Sequence, residues 1–505
     1  MQAKKRLPVG RVAAVVLAGL LGLTAGCGCG PKPVVVPTVA DKPHAAAGLK
    51  VWYGDEKLAE VFSPRARAWG YRTGAVITAA ASPAEADVLL VPAYRLGTFD
   101  PPAGLRPVPA TVVGEGSNFQ WGGLLAVYQS RLAHWGGERY AVPLSGEGYV
   151  LLYRADVLGE PAFADAFKQK HARPPLPVRT WADLADLGQF ATDRTGKPAL
   201  PPLPADPHAA VAALGHIAAC YDRPPLTGGP KADGGPDPYF RGLSFFVDMD
   251  VLRNGPADRW EGRVGGPAFG EAFRWFESTA KWRPAQPGDP TAAVLSGSAV
   301  AAVVPLGELN RLPKDSTTGS IDARFGVGPV PGSDGYFDDA GNRQKTTGVN
   351  RIPHYPGGGL VGVVRQSAAS PDAAWALLGE LGGPIGSTAT LDTPAVGGGP
   401  LRTEQAGEQP RLWQQYGFDA KRTADLAKAV REYTAPNTLN PALGLRTPDV
   451  DAVHALLAKA LTKVASGQVT AAAGQAEAVN GWKELDAKTP RDKRAADRKR
   501  AAGLE

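Results

Sequence analysis

Residues 139–154, RYAVPLSGEGYVLLYR, constrain the fold of this chain more than any other segment. Their pattern is that of two short strands separated by a polar, glycine-containing break. Aromatic and β-branched residues favour extended backbone in Tyr140–Pro143 and Tyr149–Tyr153, and the glycines between them permit angles that other residues resist. The break holds two polar residues, Ser145 and Glu147. The pattern indicates either an ordinary β-hairpin with a polar loop, or the point where a two-lobed chain passes between lobes and presents hydrogen-bonding groups to a cleft.

The first 26 residues have the pattern of an export signal. A basic start is followed by an apolar run, residues 12–23, that is too short to span a bilayer comfortably. The next residues, Leu23–Cys27 (LTAGC), resemble a bacterial lipobox, in which small residues precede a cysteine that is diacylated. We therefore expect a lipoprotein signal peptide over 1–26, a lipid on Cys27 and a tether over 27–47. The protein would be held in the cell envelope, facing the periplasm or the outside.

The remaining cysteines predict neither disulfides nor a metal centre. Cys29 lies beside the lipid site, and Cys220 lies alone in an apolar stretch, where we expect a small core residue. The sequence contains no CxxC metal pattern and no pair for a disulfide framework in the folded body.

The net charge of +6 is unevenly distributed. The signal region carries an excess of four positive charges and residues 483–505 carry an excess of three, which leaves the body of the chain at −1. A nearly neutral body argues against nucleic acid as a partner. We expect the charged tail, residues 486–505, to be a solvated, partly helical end rather than a binding arm.

The body of the chain has the order of an open α/β sheet. Strand patterns at Leu49–Tyr53, Ala75–Thr78 and Val88–Val91 surround a helical stretch at Glu56–Trp69. In such sheets ligands bind beyond the carboxyl ends of the strands. These ends place Tyr53, Asp55 and Tyr94 at the edge of a candidate site.

Later segments predict further elements and one long loop. Apolar residues at helical spacing predict a helix over 117–135, Thr180–Asp183 reads as a capping box, and Leu360–Val364 predicts a strand. A glycine-rich polar stretch, about 332–353, predicts a loop. From Arg411 onwards the patterns are mostly helical.

Several segments share their order and spacing with one known family. They are Leu49–Tyr53, Asp87–Val91, Tyr140–Pro143 with Tyr153–Leu158, Thr180–Leu184, Leu295–Ala301 (with Ser298 where the family usually has lysine), and Gly357–Gly359 with Ala374–Trp375. In this order they resemble the extracellular solute-binding proteins of ABC importers, in particular the carbohydrate-type group with the type 2 periplasmic-binding fold. The resemblance covers Leu49 to about Leu485, nearly the whole mature chain.

The resemblance implies two open α/β lobes joined by crossover strands, with a helical C-terminal part. Lobe 1 would comprise 48–143 and 350–385, and lobe 2 would comprise 144–349 and 386–485. The protein would be a monomeric receptor that closes by a hinge on a small solute, a sugar or oligosaccharide, and delivers it to the membrane subunits of an ABC permease. It would need no cofactor, no metal and no catalytic group.

A sugar site needs aromatic faces for the ring, and carboxylates and backbone N–H groups for the hydroxyls. We expect Glu147 to be a solvated ligand acceptor when no solute is bound. For Trp260, packing is an equal alternative, and Glu147 could instead pair with Arg139. The candidate ligand-binding residues are Tyr53, Asp55, Tyr94, Ser145, Glu147, Trp260, Tyr355, Gly357 and Gly358.

Two other functions fit parts of the sequence. A non-transport envelope lipoprotein, as a sensor partner or a structural protein, would have the same signal and fold. A glycan hydrolase would need two carboxylates across a cleft, for which Asp55 and Glu147 are the candidates. The sequence shows no HExxH, GxSxG or lactamase-type motif, and His208 and His216 are isolated in the sequence. We therefore expect a binding protein and not an enzyme.

Overall fold

The structure is a computed structural model. It describes residues 43–502, apart from residues 224–244, 249–250, 252–259, 261, 339, 392, 394–395, 397, 407–409 and 435–440. The predicted signal peptide, the lipid site at Cys27 and most of the tether therefore lie outside the described residues.

The strands are β1 Gly48–Trp52, β2 Val76–Ala79, β3 Val88–Pro92, β4 His134–Trp135, β5 Glu138–Arg139, β6 Val142–Ser145, β7 Tyr149–Arg154, β8 Ala301–Pro305, β9 Phe325–Gly328, β10 Ser333–Phe337, β11 Arg343–Asn350, β12 His354–Tyr355, β13 Leu360–Val364 and β14 Ala442–Leu443.

The α-helices are α1 Glu56–Thr73, α2 Pro101–Gly104, α3 Ala110–Val113, α4 Ala155–Leu158, α5 Pro161–His171, α6 Trp181–Thr195, α7 Pro207–Tyr221, α8 Pro267–Ser278, α9 Pro290–Ser296, α10 Pro371–Gly382, α11 Pro384–Thr388, α12 Thr403–Ala406, α13 Pro410–Gln414, α14 Ala420–Thr434, α15 Val450–Ala465, α16 Ala471–Asp486 and α17 Arg491–Ala501.

A five-stranded sheet forms the centre of one half of the fold. Its order is β2-β1-β3-β13-β6; β1 pairs in parallel with β2 and β3, and β13 runs antiparallel to β3 and β6. The strands β3 and β13 are almost wholly buried because apolar residues cover both of their faces. Helix α1 begins at its cap Asp55, whose side chain accepts a hydrogen bond from the Leu58 N–H, and packs on β2.

A second sheet, of three strands in the order β8-β7-β9, lies beyond the break after β6. All of its pairings are antiparallel, with Leu151 opposite Val303 on one side and Gly328 on the other. Because β6 belongs to the first sheet and β7 to the second, the chain passes between sheets at residues 146–148. The hairpin alternative for the stretch 139–154 is therefore wrong, and the crossover prediction is confirmed.

Two predicted elements differ from the structure. Residues 117–135 form only short helical turns before β4, because Gln120 adopts a left-handed backbone with φ of 54° and the Leu125 N–H bonds the Leu401 carbonyl instead of continuing a helix. Residues 332–353 are no loop but contain the antiparallel hairpin β10–β11. Most side chains of β11 are exposed, so the segment lacks the apolar alternation that marks a strand.

The C-terminal segment is a docked helix rather than a solvated tail. In α17, Arg498 is only 2% exposed and donates to the carboxylate of Asp486 at 2.7 Å, and the Arg500 carbonyl accepts from the Gly136 N–H. The many charged residues of this segment indicated exposure to solvent, and the sequence contained no sign that Arg498 forms a buried ion pair. Among the described residues, no helix is both long enough and apolar enough to cross a membrane.

This buried pair should contribute to stability. Replacing Arg498 by alanine leaves the Asp486 carboxylate buried with Arg494, at 3.9 Å, as its remaining ion-pair partner. We therefore expect the free energy of unfolding to fall by about 3 kcal/mol. The matched control is Lys493→Ala, which removes an exposed partner of Asp497 on the same helix and should cost less than about 0.5 kcal/mol. Urea unfolding of both variants measures the difference, and equal losses would contradict a docked helix.

Candidate functional site

Three chain segments meet where the chain passes from the first sheet to the second. Gly146 forms an antiparallel bridge with Gly399, and the Ser145 hydroxyl donates to the Val396 carbonyl at 2.8 Å. Gly359, with φ of 73°, lies so close that an added Cβ would be 2.2 Å from the Ser145 carbonyl oxygen. Only glycine allows this approach, so residues 145–148, 356–359 and 398–400 form one tightly packed junction.

Glu147 lies at the centre of this junction and is only 6% exposed. Its carboxylate accepts hydrogen bonds from the Gly357 N–H at 3.1 Å, from the Gly358 N–H at 2.7 Å and from the Tyr149 hydroxyl at 3.1 Å. Its own N–H donates to the Tyr128 hydroxyl at 2.8 Å. The expectation of a solvated carboxylate is therefore wrong, because backbone donors of the next crossover segment already bind it.

The pKa of the Glu147 carboxyl lies well above its usual range. Burial raises its pKa from 4.5 to about 7, although the hydrogen bonds from Gly358, Gly357 and Tyr149 oppose that rise. No cation of the described residues lies within ion-pair distance of it. The alternative pairing with Arg139 is wrong, because the Arg139 guanidinium lies over the Trp121 ring.

Four tyrosines surround Glu147. Tyr128 and Tyr355 contact edge to face, with ring centroids 6.3 Å apart, and Tyr433 lies 5.2 Å from Tyr355 and 6.1 Å from Tyr149. Tyr128, Tyr355 and Tyr433 are buried and Tyr149 is partly buried. Burial together with the negative charge of Glu147 raises the pKa of each hydroxyl. The group joins the junction to β7, to β12 and to the end of α14.

Four histidines extend this group. His216 lies edge to face with Tyr149 at 4.3 Å and with His354 at 5.3 Å, while His208 and His454 place their Nδ1 atoms 3.4 Å apart. Burial lowers the pKa of His208, His216 and His454 to about 3 and lowers that of His354 well below 6.5, so all four rings are neutral at pH 7. Tyr94 completes the group by stacking on His208, with centroids 4.2 Å apart.

We call this group the tyrosine–histidine cluster. It consists of Glu147, Tyr94, Tyr128, Tyr149, Tyr355, Tyr433, His208, His216, His354 and His454. Among the described residues, no set of three or more His, Cys, Asp or Glu side chains is arranged to hold a metal ion. A small surface depression reaches the cluster at His216 and Tyr433, beside the ion pair of Arg351 and Glu432.

The structure brings together six of the nine predicted site residues. Tyr94, Ser145, Glu147, Tyr355, Gly357 and Gly358 belong to the cluster or to the junction beneath it. The Tyr94 N–H also donates to the Gly357 carbonyl at 3.1 Å, which ties the end of β3 to the same segment.

The other three residues make their contacts elsewhere. Asp55 caps α1, and Tyr53 is buried at the end of β1 beside Ser63 of that helix. Trp260 packs edge to face on Trp482 of α16 and donates its indole N–H to Asp486 at 2.7 Å, which matches the packing alternative.

Sequence reasoning missed most of the cluster. His208 and His216 are not isolated, because α7 presents both rings to partners more than a hundred residues away. Tyr433 and His454 come from helices near the C-terminus, and no local pattern connects them to Glu147. The eight-residue spacing of His208 and His216, about two turns apart on α7, is a signal that could have suggested a shared environment.

Comparison with known proteins identifies the fold. No protein-family model matches this sequence, and no curated protein does. Among solved structures, maltose-bound MalE3 of T. maritima has 16% identity and a TM-score of 0.57, over 87% of this chain and 100% of that chain. The cyclic alpha-maltosyl-1,6-maltose binding protein of Arthrobacter globiformis has 13% identity and a TM-score of 0.58, over 88% and 100%.

The sugar-binding protein MalE of Xanthomonas citri has 15% identity and a TM-score of 0.58, over 88% of this chain and 98% of that chain. These neighbours are binding proteins rather than enzymes. At such identities the likeness concerns the fold. As predicted, the chain has the two-lobed type 2 periplasmic-binding-protein fold, with open α/β lobes joined by crossover strands and a helical C-terminal part.

Proposed function

We propose that this protein is a substrate-binding receptor that captures a small solute, a sugar or oligosaccharide, by hinge closure and delivers it to an ABC permease. The observation that carries the proposal is the position of the tyrosine–histidine cluster. It lies at the junction of the crossover segments, in a fold whose solved neighbours are described as binding maltose and related sugars.

The moving bodies would be the two lobes of the sequence analysis, residues 48–143 with 350–385 and residues 144–349 with 386–485. The cluster takes Tyr94 and Tyr355 from the first of these and Tyr149, His216 and Tyr433 from the second. Because the two sets of rings contact each other, separation of the lobes would expose aromatic faces on both sides. Aromatic faces beside a carboxylate suit a sugar ring and its hydroxyls.

Hydrolysis finds less support in the geometry. Asp55 holds the first turn of α1, and Glu147 is bound by the backbone of residues 357–358, so each candidate carboxylate has a structural role. A glycosidase would need both groups to face one scissile bond. We therefore favour binding without turnover.

A ligand screen tests the function. A solute that binds only the folded state stabilises it by roughly 2.7 kcal/mol at a hundredfold excess over its dissociation constant. We expect the melting temperature to rise with at least one mono- or oligosaccharide and no product to form. Release of product that stops in Asp55→Asn would favour the hydrolase, and a screen without any shift would contradict the receptor.

Lipid attachment at Cys27 is a separate proposal. It is supported by the LTAGC sequence after the apolar run. We expect a fatty-acid probe to label the wild type and to leave Cys27→Ser unlabelled in cells. Equal labelling of both would contradict the anchor, while Cys29→Ser serves as the neighbouring control and should still be labelled.

A further inference from the structure

The centre of the cluster is a carboxyl group, Glu147, to which the described residues bring no counter-ion. The Glu147 carboxylate is bound by two backbone N–H groups and one hydroxyl, and none of the described cations lies within ion-pair distance of it. The nearby histidines supply no charge, because burial keeps their imidazoles neutral. A buried carboxylate is costly unless a positive group compensates it.

Arg95 contacts the cluster at Tyr94, and it is already paired. Its guanidinium lies 5.7 Å from the centre of the Tyr94 ring and 3.2 Å from the carboxylate of Asp451. Arg95 therefore forms its ion pair with Asp451 and not with Glu147.

The tyrosine hydroxyls offer little to a neutral solute. Tyr128 accepts from the Glu147 N–H, Tyr149 donates to the Glu147 carboxylate, and Tyr433 donates to the His354 carbonyl. Because three of the four tyrosine hydroxyls already form hydrogen bonds within the protein, the faces of the tyrosine rings are the main surface left for a solute. A ring face attracts cations through its quadrupole, and a phenol that donates to a carboxylate is richer in electrons.

We propose that the solute carries a positively charged amine, as in an amino sugar or a quaternary ammonium compound, and that the tyrosine rings around Glu147 receive this group. The inference rests on the proposed receptor function and narrows its substrate class. The rings of Tyr355 and Tyr433, which come from different proposed lobes, now contact each other at a centroid distance of 5.2 Å. The amine would enter between them as the lobes separate and would compensate the ionised form of Glu147.

Two pairs of probes separate charge from shape. Choline is compared with its uncharged isostere 3,3-dimethyl-1-butanol, and glucosamine is compared with glucose. Isothermal titration calorimetry at pH 7 should show that at least one charged probe binds ten times or more tightly than its neutral partner. The full-length mature protein is used, and maltose is included as a neutral oligosaccharide.

Proton release provides an independent readout. Burial raises the pKa of Glu147 to about 7, so a share of its carboxyl groups is protonated at pH 7, and an arriving cation favours the ionised form. Binding of the charged probe should therefore release protons, measured from titrations in buffers of different ionisation enthalpy. A neutral probe should release almost none.

Two variants of Tyr433 test whether its aromatic ring causes the preference for the charged probe. Tyr433→Phe and Tyr433→Leu both lose the hydrogen bond to His354, but only phenylalanine retains an aromatic face. We expect the preference for the charged probe to persist in the Phe variant and to fall at least fivefold in the Leu variant. A similar preference in both variants would overturn the ring as the receiving group.

The outcomes distinguish the inference from the receptor function. If maltose or glucose binds as tightly as the charged probes and releases no proton, the inference is wrong and the receptor function stands. If neither the sugars nor the amines bind, the receptor function is wrong and the inference falls with it.

Discussion

Acidification from pH 7 to pH 4 should destabilise the folded protein by about 6 kcal/mol through two histidines alone. His216 and His454 are buried and neutral, and burial lowers their pKa from 6.5 to about 3. At pH 4, some 2.5 pH units below the unfolded pKa, each histidine costs about 3 kcal/mol, because one pKa unit corresponds to about 1.4 kcal/mol.

The sign follows from which state binds more protons. Below pH 6.5 the unfolded chain takes up protons on its histidines while the folded chain does not, so the stability conferred by these residues is lost as the pH falls towards 3. His354 acts in the same direction, because burial lowers its pKa as well. These histidines therefore favour unfolding at acidic pH.

Urea unfolding at pH 7, 6, 5 and 4 measures the effect. His216→Phe keeps an aromatic ring against Tyr149 but cannot titrate, so it should lose about 3 kcal/mol less than the wild type over this range. If His216→Phe and the wild type have the same pH slope, His216 is accessible to protons in the folded state.

The sequence predicted the parts of the fold that depend on local patterns. Strands β3, β7 and β13 were found within a residue or two, because runs of buried apolar residues allow few other structures. The capping box at Thr180 was confirmed, since the side chains of Thr180 and Asp183 bond each other's backbone N–H. The pairing order of the strands was not predicted. The local pattern left a hairpin and a crossover open for residues 139–154, and the family resemblance favoured the crossover.

The tyrosine–histidine cluster is formed by contacts between residues far apart in the sequence, which local sequence patterns do not predict. The bond from the Gly358 N–H to Glu147 spans 211 residues, and Tyr433 reaches His354 across 79. Polar residues such as Glu147 and Arg498 were assigned to solvent because charged side chains are rarely buried. Both are buried because partners elsewhere in the chain satisfy them, and burial of that kind can be read only from the structure.

These contacts give Glu147 two roles with opposite effects on stability. As an acceptor it satisfies the buried N–H groups of residues 357 and 358 and holds two crossover segments together. As a charge it is costly, because burial raises its pKa from 4.5 to about 7. The stability conferred by the protonated form is complete below pH 4.5 and is lost as the pH rises through 7, by about 3 kcal/mol.

Glu147→Ala should therefore destabilise the fold in a way that weakens as the pH rises. At pH 5 the variant leaves buried donors without an acceptor, at roughly 1–3 kcal/mol for each group, so we expect a loss of about 4 kcal/mol. At pH 8 the wild type carries the cost of the buried charge, and the loss should shrink to about 1–2 kcal/mol.

Urea unfolding at both pH values tests this, with Glu380→Ala as the control. Glu380 pairs with Arg72 on the surface, and its removal should change stability by less than about 0.5 kcal/mol at either pH. A loss that grows with pH would show that Glu147 has a cationic partner in the folded protein, since removal of an ion-paired carboxylate costs most where it is ionised. A loss near zero at both pH values would indicate that Glu147 is solvated, as the sequence suggested. The junction of crossover segments would then be stabilised by glycine packing alone.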